Sequence, residues 1–506
     1  TVPEAENAYL EAMGLWRDGA GAKASSALDR AIELDRTFAA AHLQLALHEA
    51  SQGDPVAAQA AFQSAYEHRH MLTARDSFLL EASEPFVRPK PDVEEWETRM
   101  TAVVFRYPRD PELQLYLGRA RERQGDDEGA RAAYEAAIRL DDGFVPALAS
   151  LANAEKNLGN VADGLATTER CIKRSPVAAI CVQTRYELLL AARECKRARE
   201  EATQWRALEP RSPRPLAALA RALHGDGAPR PSIDEVLASR WSVVPEGQRK
   251  QAETWDRAML AVLDGDFARA DELARDYDAG LSHTADSYDH AIPARLRANL
   301  LLESDRAKDA AKVARTFLDR MEGWAAYPFA PDPRIGFYEP LYRAGELTKA
   351  ELDEKRTAWL EGERRRATGN RTAWDAWVAW ATAYGSFAET REEALEALSK
   401  LPREEPLPGP GRRSLFLDFA LGKVHALASR WDDAVPHLDR VVTSCTTFDD
   451  AMIILKARVL LGQAYEAKGD PVKARASYEL AAQVWPKGSG SRTQKRAVER
   501  LSAIGR

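Results

Sequence analysis

Arg119, Arg123, Asn153, Lys156 and Asn157 supply three cationic and two amide side chains, with Asn153 and Asn157 each 34 residues after Arg119 and Arg123. On one surface they would form charge-assisted hydrogen bonds to a carboxylate, and so could hold an acidic or carboxylate-bearing peptide. A solvated helical face is the plainer reading. Trp374, Trp377, Trp380 and Tyr384 recur at helical spacing and make an aromatic stripe. Such a stripe stacks on a sugar or grips a Pro-rich peptide if exposed, and forms core between helices if not.

Nucleophilic, metal and redox chemistry have less to start from. The chain contains no His-Glu-x-x-His, no Gly-x-Ser-x-Gly and no Cys-x-x-Cys, and His68-x-His70 has no carboxylate or Cys pattern beside it. No cofactor or metal is expected. Asp286, Asp289 and His290 are the residues on which an enzymatic reading would have to rest. The basic run Lys487–Arg496 reads as a link into a solvated capping helix.

The elements that position these side chains repeat at a fixed period. Asp142, Pro176 and Pro210 each close an amphipathic stretch at intervals of 34 residues. Gly118, Ala152 and Tyr186 fall in register, as do Tyr134, Thr168 and Ala202. Ala12, Ala24, Leu28 and Ala31 return as Ala46, Ala58, Phe62 and Ala65. Gly53-Asp54, Gly125-Asp126, Gly159-Asn160, Gly265-Asp266 and Gly469-Asp470 mark turns between paired helices, with Gly ending one and Asp or Asn capping the next. Leu461, Gly462, Tyr465, Ala474, Tyr478, Ala481 and Pro486 resemble the tetratricopeptide pattern, in which small residues let two antiparallel helices approach and an aromatic fills between units.

An all-α solenoid follows, a right-handed tetratricopeptide-type superhelix with longer-period, degenerate repeats in its middle. It divides into 1–225, with a degenerate pair at 71–106; 226–401, with a Pro/aromatic loop at 324–342; and 412–506, ending in a capping helix. Residues 211–250, with five prolines, read as a bend or linker, and 402–411 as a second break. The first helix of each pair is expected to line the concave face, which places the five donors there. Asn153 resembles a residue of the peptide-carboxylate clamp of chaperone-binding repeat proteins, but Ala149 stands where that clamp has Lys.

Totals narrow the partner. The net charge is −7, opposite to the basic excess of a general nucleic-acid binder, so nucleic acid is not expected. No apolar run reaches the ~18–20 residues that span a bilayer. Thr1 is not a start Met and no signal peptide follows, so the chain is expected to be cut from something longer.

Several segments resemble the repeat regions of large bacterial serine/threonine kinases of the eukaryotic (Hanks) type. They are Ala27–Asp35 with Phe38–His42, Leu72–Ala82, the run Cys171, Ser175-Pro176, Cys181, Cys195, Trp205, Pro210, and Leu461–Tyr465 with Trp485-Pro486. The resemblance covers about half the chain. It implies a cytoplasmic kinase domain and one membrane span before Thr1, with these repeats serving as an extracytoplasmic, periplasmic sensor for a protein, peptide or envelope ligand. The chain itself has no Gly-rich phosphate loop, His-Arg-Asp or Asp-Phe-Gly, and is not expected to be an enzyme. A free-standing cytoplasmic adaptor is the alternative. If the compartment is oxidising, Cys171 and Cys181, at the same end of the stack, would pair and Cys195 would stay free; otherwise all three are small buried hydrophobes.

Overall fold

The computed structural model describes residues 2–52, 54–88, 91–282, 285–324, 331–366, 373–408, 413–485 and 489–504. Among them every regular element is a helix. The chain divides into two compact units, the first Thr1–Pro210 and the second Arg211–Pro408 with Arg413–Arg506.

Unit 1 holds twelve α-helices among the described residues, packed as consecutive pairs. They are α1 (Pro3–Arg17), α2 (Gly21–Leu34), α3 (Ala39–Gln52), α4 (Pro55–Glu67), α5 (Ala74–Val87) and α6 (Val93–Arg106). There follow α7 (Pro111–Gln124), α8 (Asp127–Leu140), α9 (Val145–Leu158), α10 (Val161–Arg174), α11 (Ala179–Ala191) and α12 (Cys195–Leu208). Unit 2 begins with α13 (Pro213–Gly225), α14 (Arg230–Val243), α15 (Glu246–Asp264), α16 (Phe267–Ala279), α17 (Ser287–Glu303), α18 (Ala307–Met321) and α19 (Ile335–Arg343). It continues through α20 (Lys349–Arg366), α21 (Ala373–Trp380), α22 (Arg391–Ser399), α23 (Leu415–Leu427), α24 (Trp431–Val442), α25 (Ala451–Ala467), α26 (Pro471–Ala482) and α27 (Arg492–Ile504).

The turn within each pair has a repeated construction. Gly125 (φ 81°) and Gly469 (φ 75°) end α7 and α25 in the left-handed region, and the next residue caps the following helix: Asp126 accepts from the Gly129 amide and Asp470 from the Lys473 amide. Three pairs make the same turn without glycine, at Arg193, Asp305 and Ser429 (φ 58–61°). Packing within a pair depends on a missing side chain. A Cβ on Gly118 would lie 2.4 Å from the Tyr134 ring, and one on Gly462 2.5 Å from that of Tyr478. Both tyrosines are fully buried.

Two stretches differ from the sequence expectation. Residues 211–250 are not a linker but two packed helices, α13 and α14, and the start of α15. Their prolines lie at helix starts, where a missing N–H costs nothing: Pro213 opens α13, Pro231 sits in the first turn of α14, and Pro245 precedes α15. The loop expected over 324–342 contains α19, with Pro340 inside it. Residues 325–330 lie outside the described residues. Burial of Phe337, stacked 3.9 Å from Phe317, and of Leu341 outweighs the hydrogen bond that Pro340 removes.

The middle and C-terminal helices of unit 2 share one core. Leu273 and Leu300 pack with Leu455, Tyr478 and Ala497. Trp485 meets Phe267 edge-on at 5.0 Å and donates its Nε1–H to the Val262 carbonyl at 2.8 Å. Glu303, wholly buried, accepts from the Ser491 hydroxyl (2.6 Å) and the Thr493 amide (2.9 Å), with Lys456 3.5 Å away.

Candidate interaction surfaces

The five donors expected on one face lie on α7 and α9, the first helices of successive pairs, and the structure brings most of them onto acidic groups of the chain itself. Glu122 takes two of these contacts, the Asn153 amide donating to it and the Asn157 amide lying at 3.4 Å, and the Tyr134 hydroxyl also donates to it at 2.7 Å. Asn157 also reaches Asp127 at 3.2 Å, and Lys156 pairs with Glu187 of α11 at 3.3 Å. Arg119 lies over the Tyr116 ring (5.6 Å) and Arg123 over Phe86 (4.8 Å). The two amides therefore grip a carboxylate, as such a clamp would, but Glu122 supplies it. An acidic partner would have to compete with these internal pairs.

Elsewhere in unit 1, Arg75 is held by three carboxylates: Asp76 at 2.8 Å, Asp110 at 2.9 Å and Glu112 at 2.5 Å. The Gln44 amide donates to Glu112 at 2.8 Å. Burial pushes the Glu112 carboxyl above its usual range despite Arg75. The first helix closes over this region. Arg17 makes a bidentate pair with Asp141 (2.6 and 2.7 Å), which holds that carboxyl below the usual range, and the Ser175 hydroxyl donates to the Asp18 carbonyl at 2.8 Å.

Trp377 and Trp380 are core, not a surface to stack on. They are 8% and 3% exposed, lie 6.0 Å apart edge to face, and donate their indole N–H groups to the Pro406 and Ala397 carbonyls. Tyr384, partly buried against the same core, sits under the Arg356 guanidinium at 5.2 Å. The side chain of Trp374 lies outside the described residues.

A cleft of about 290 Å³ opens in unit 2 between α16, α17 and α18, and sequence reasoning reached only one of its residues. His290 Nδ1 lies 2.6 Å from Asp278, and its ring stacks on Trp324 at 3.9 Å. Arg320 covers Trp324 at 5.0 Å and reaches Asp278 at 3.5 Å. Arg297 pairs with Asp271 and Arg306 with Asp309. Asp286 and Asp289 do not join His290 but form the capping box that starts α17. The cleft is lined largely by paired charges, with the Thr316 hydroxyl also on its wall. Among the described residues no group of His, Cys, Asp and Glu is arranged to hold a metal.

Cys171, near the end of α10, is bonded to Cys181, at the start of α11, with Cα atoms 5.9 Å apart. Cys195, expected to remain a thiol, is disulfide-bonded too, as is Cys445, so none of the four is free. The expectation weighed only the three cysteines close together in sequence and left Cys445 out.

Tetratricopeptide repeat models match residues 97–143 and 455–486. No curated protein matches the chain. Among solved structures, a tetratricopeptide repeat protein from Parabacteroides merdae is 18% identical, covering 48% of this chain and 92% of that one at a TM-score of 0.38. A structure of Naa15/Naa10 bound to HypK-THB is 15% identical, covering 85% of this chain and 68% of that one at 0.27. The first repeat match spans the Gly118–Tyr134 packing and the second the Gly462–Tyr478 packing, so the chain carries tetratricopeptide repeats within an all-helical array.

Proposed function

We propose that this chain is a protein-binding scaffold and serves as the extracytoplasmic interaction or sensor region of a bacterial serine/threonine kinase. Tetratricopeptide repeats are scaffolds for protein–protein interaction, and stacked pairs offer an extended face for a partner. The observation that carries the location is the cysteine chemistry: all four cysteines are in disulfides, which persist in oxidising compartments and are rare in the cytoplasm. The kinase association rests on the resemblance of the Cys171–Pro210 run and the repeat phrases around it. The ligand would be a protein, peptide or envelope component.

The test is fractionation of the native gene product with an antibody against this chain. A band well above 56.1 kDa in the membrane fraction, accessible to protease from outside the cytoplasm, is expected. A soluble cytoplasmic band near that mass would overturn the kinase reading and leave a free-standing adaptor.

A further inference from the structure

The cleft between α16, α17 and α18 has two matched pairs set at the same interval on its two walls. Asp271 and Asp278 of α16 are seven residues apart, as are His290 and Arg297 of α17. Asp278 pairs with His290 and Asp271 with Arg297, the order that antiparallel helices give. Seven residues of helix span about 10 Å. Ala294, small and buried, lies between the two donors on α17, and Val313 and Phe317 of α18 line the same space.

Neither donor is fully used by its partner. His290, buried, gives Nδ1 to Asp278 at 2.6 Å, and its Nε2 has no hydrogen-bond partner among the described residues. With the proton of a neutral imidazole held on Nδ1 by that carboxylate, Nε2 is an acceptor. Arg297 gives only Nε to Asp271, at 2.8 Å. Its two Nη groups, the fork that fits a carboxylate, have no partner among the described residues. The charges of the lining leave one cation over. Asp271, Asp278 and Asp309 are met by Arg297, Arg320 and Arg306, while Lys312, exposed on α18, has no acidic partner among the described residues.

We propose that this cleft is a binding site for a small organic acid with one carboxylate, an apolar body and a hydroxyl group at its far end. The carboxylate takes the Nη fork of Arg297, the body lies over Ala294 against Val313 and Phe317, and the hydroxyl donates to His290 Nε2. One cation in excess matches a monoanion, whereas a phosphate dianion would meet three aspartates it cannot satisfy. At about 290 Å³ the cleft matches the small end of ligand pockets, roughly 300–1,000 Å³. The proposal goes beyond the scaffold reading: it gives unit 2 a small-molecule site that requires neither a protein partner nor a kinase.

The test is isothermal titration calorimetry on the full chain with para-hydroxyphenylpropionate, against two analogues that each lack one end. Phenylpropionate lacks the hydroxyl, and para-hydroxyphenylethanol lacks the carboxylate. Loss of the hydroxyl is expected to weaken binding about tenfold, and loss of the carboxylate about a hundredfold. His290→Asn keeps an amide donor toward Asp278 but places nothing at Nε2, so it should bind the full probe no better than phenylpropionate. Arg297→Lys keeps the charge beside Asp271 without the fork, and should weaken both acids about tenfold. Should either variant fail to fold, the three ligands on the unmodified chain decide. No binding of the full probe, equal binding of all three ligands, or tighter binding of phenyl phosphate would overturn the proposal. So would a folded His290→Asn that still prefers the hydroxyl-bearing acid.

Discussion

The Tyr134 hydroxyl donates to Glu122 at 2.7 Å, and Tyr478, in the other matched repeat, donates to Glu466 at 3.0 Å across the same twelve residues. In each case a tyrosine on the second helix passes over a glycine on the first and ends on the acid one turn beyond it. Burial, reinforced by the adjacent acid, pushes both hydroxyls above their usual pKa, which keeps each of them a donor at neutral pH. At Glu122 this bond shares its acceptor with Asn153, which ties the internal packing of one pair to the surface of the next.

Gly118→Ala should therefore cost ~1–3 kcal/mol through overpacking, because the buried Tyr134 ring has nowhere to retreat. Gly14→Ala is the matched control: nothing lies within 4 Å of its new Cβ, and helix propensity alone should make it stabilising by ~0.5–1 kcal/mol. Thermal melts followed by circular dichroism would separate the two in sign.

Asp305 occupies a left-handed turn position (φ 58°) that Gly125 and Gly469 fill elsewhere. Its side chain is exposed and makes no hydrogen bond or ion pair among the described residues. Asp305→Gly should stabilise unit 2 by ~0.5–1 kcal/mol by removing backbone strain. A lower melting temperature would show that the aspartate contributes something its geometry does not suggest.

Acid stability should depend on Glu389. Burial pushes its carboxyl up, but Lys423 at 2.8 Å, Lys456 and Arg492 outweigh that and bring it down to about 2. A depressed acid stabilises the fold fully above the unfolded value near 4.5, and that contribution disappears as pH falls toward 2. With a third of the side chain open to solvent, we expect ~1–2 kcal/mol, less than the full shift would give in a dry site. Glu389→Gln should flatten the denaturation midpoint between pH 4.5 and 2 relative to the unmodified protein. Parallel curves for the two proteins would contradict this.

Thiol counting on denatured, non-reduced protein should find no free cysteine. The Cys171–Cys181 bond closes a sequence separation of only 10 residues, so Cys171→Ser with Cys181→Ser should cost ~2–3 kcal/mol.

The periodic parts of the molecule were legible because they are local. Gly125-Asp126 announces a turn through chemistry that acts within four residues, whereas Arg193, Asp305 and Ser429 make the same turn with no glycine to announce it. Pro213, Pro231 and Pro245 misled because proline at a helix start and proline in a linker look alike until the following burial pattern is weighed. At the candidate surface, the 34-residue spacing placed Asn153 and Asn157 correctly on a first helix, but not their partners. Asn153 meets Glu122 and Lys156 meets Glu187 at a separation of 31, one repeat less a helical turn, and a search for complementary types at that interval would have found both. The closure of Arg17 on Asp141, 124 residues away, left no such mark. It depends on rotation accumulated over four pairs, which no single spacing records.

The claim that this chain binds a protein along the first helices of unit 1 is tested most directly by site-specific photo-crosslinking in the native host. A benzophenone side chain would replace Arg123, exposed on α7, or Glu135, exposed on α8 of the same pair. The account predicts one discrete protein adduct from position 123 and none from position 135. No adduct from position 123, or the same adducts from both positions, would contradict it.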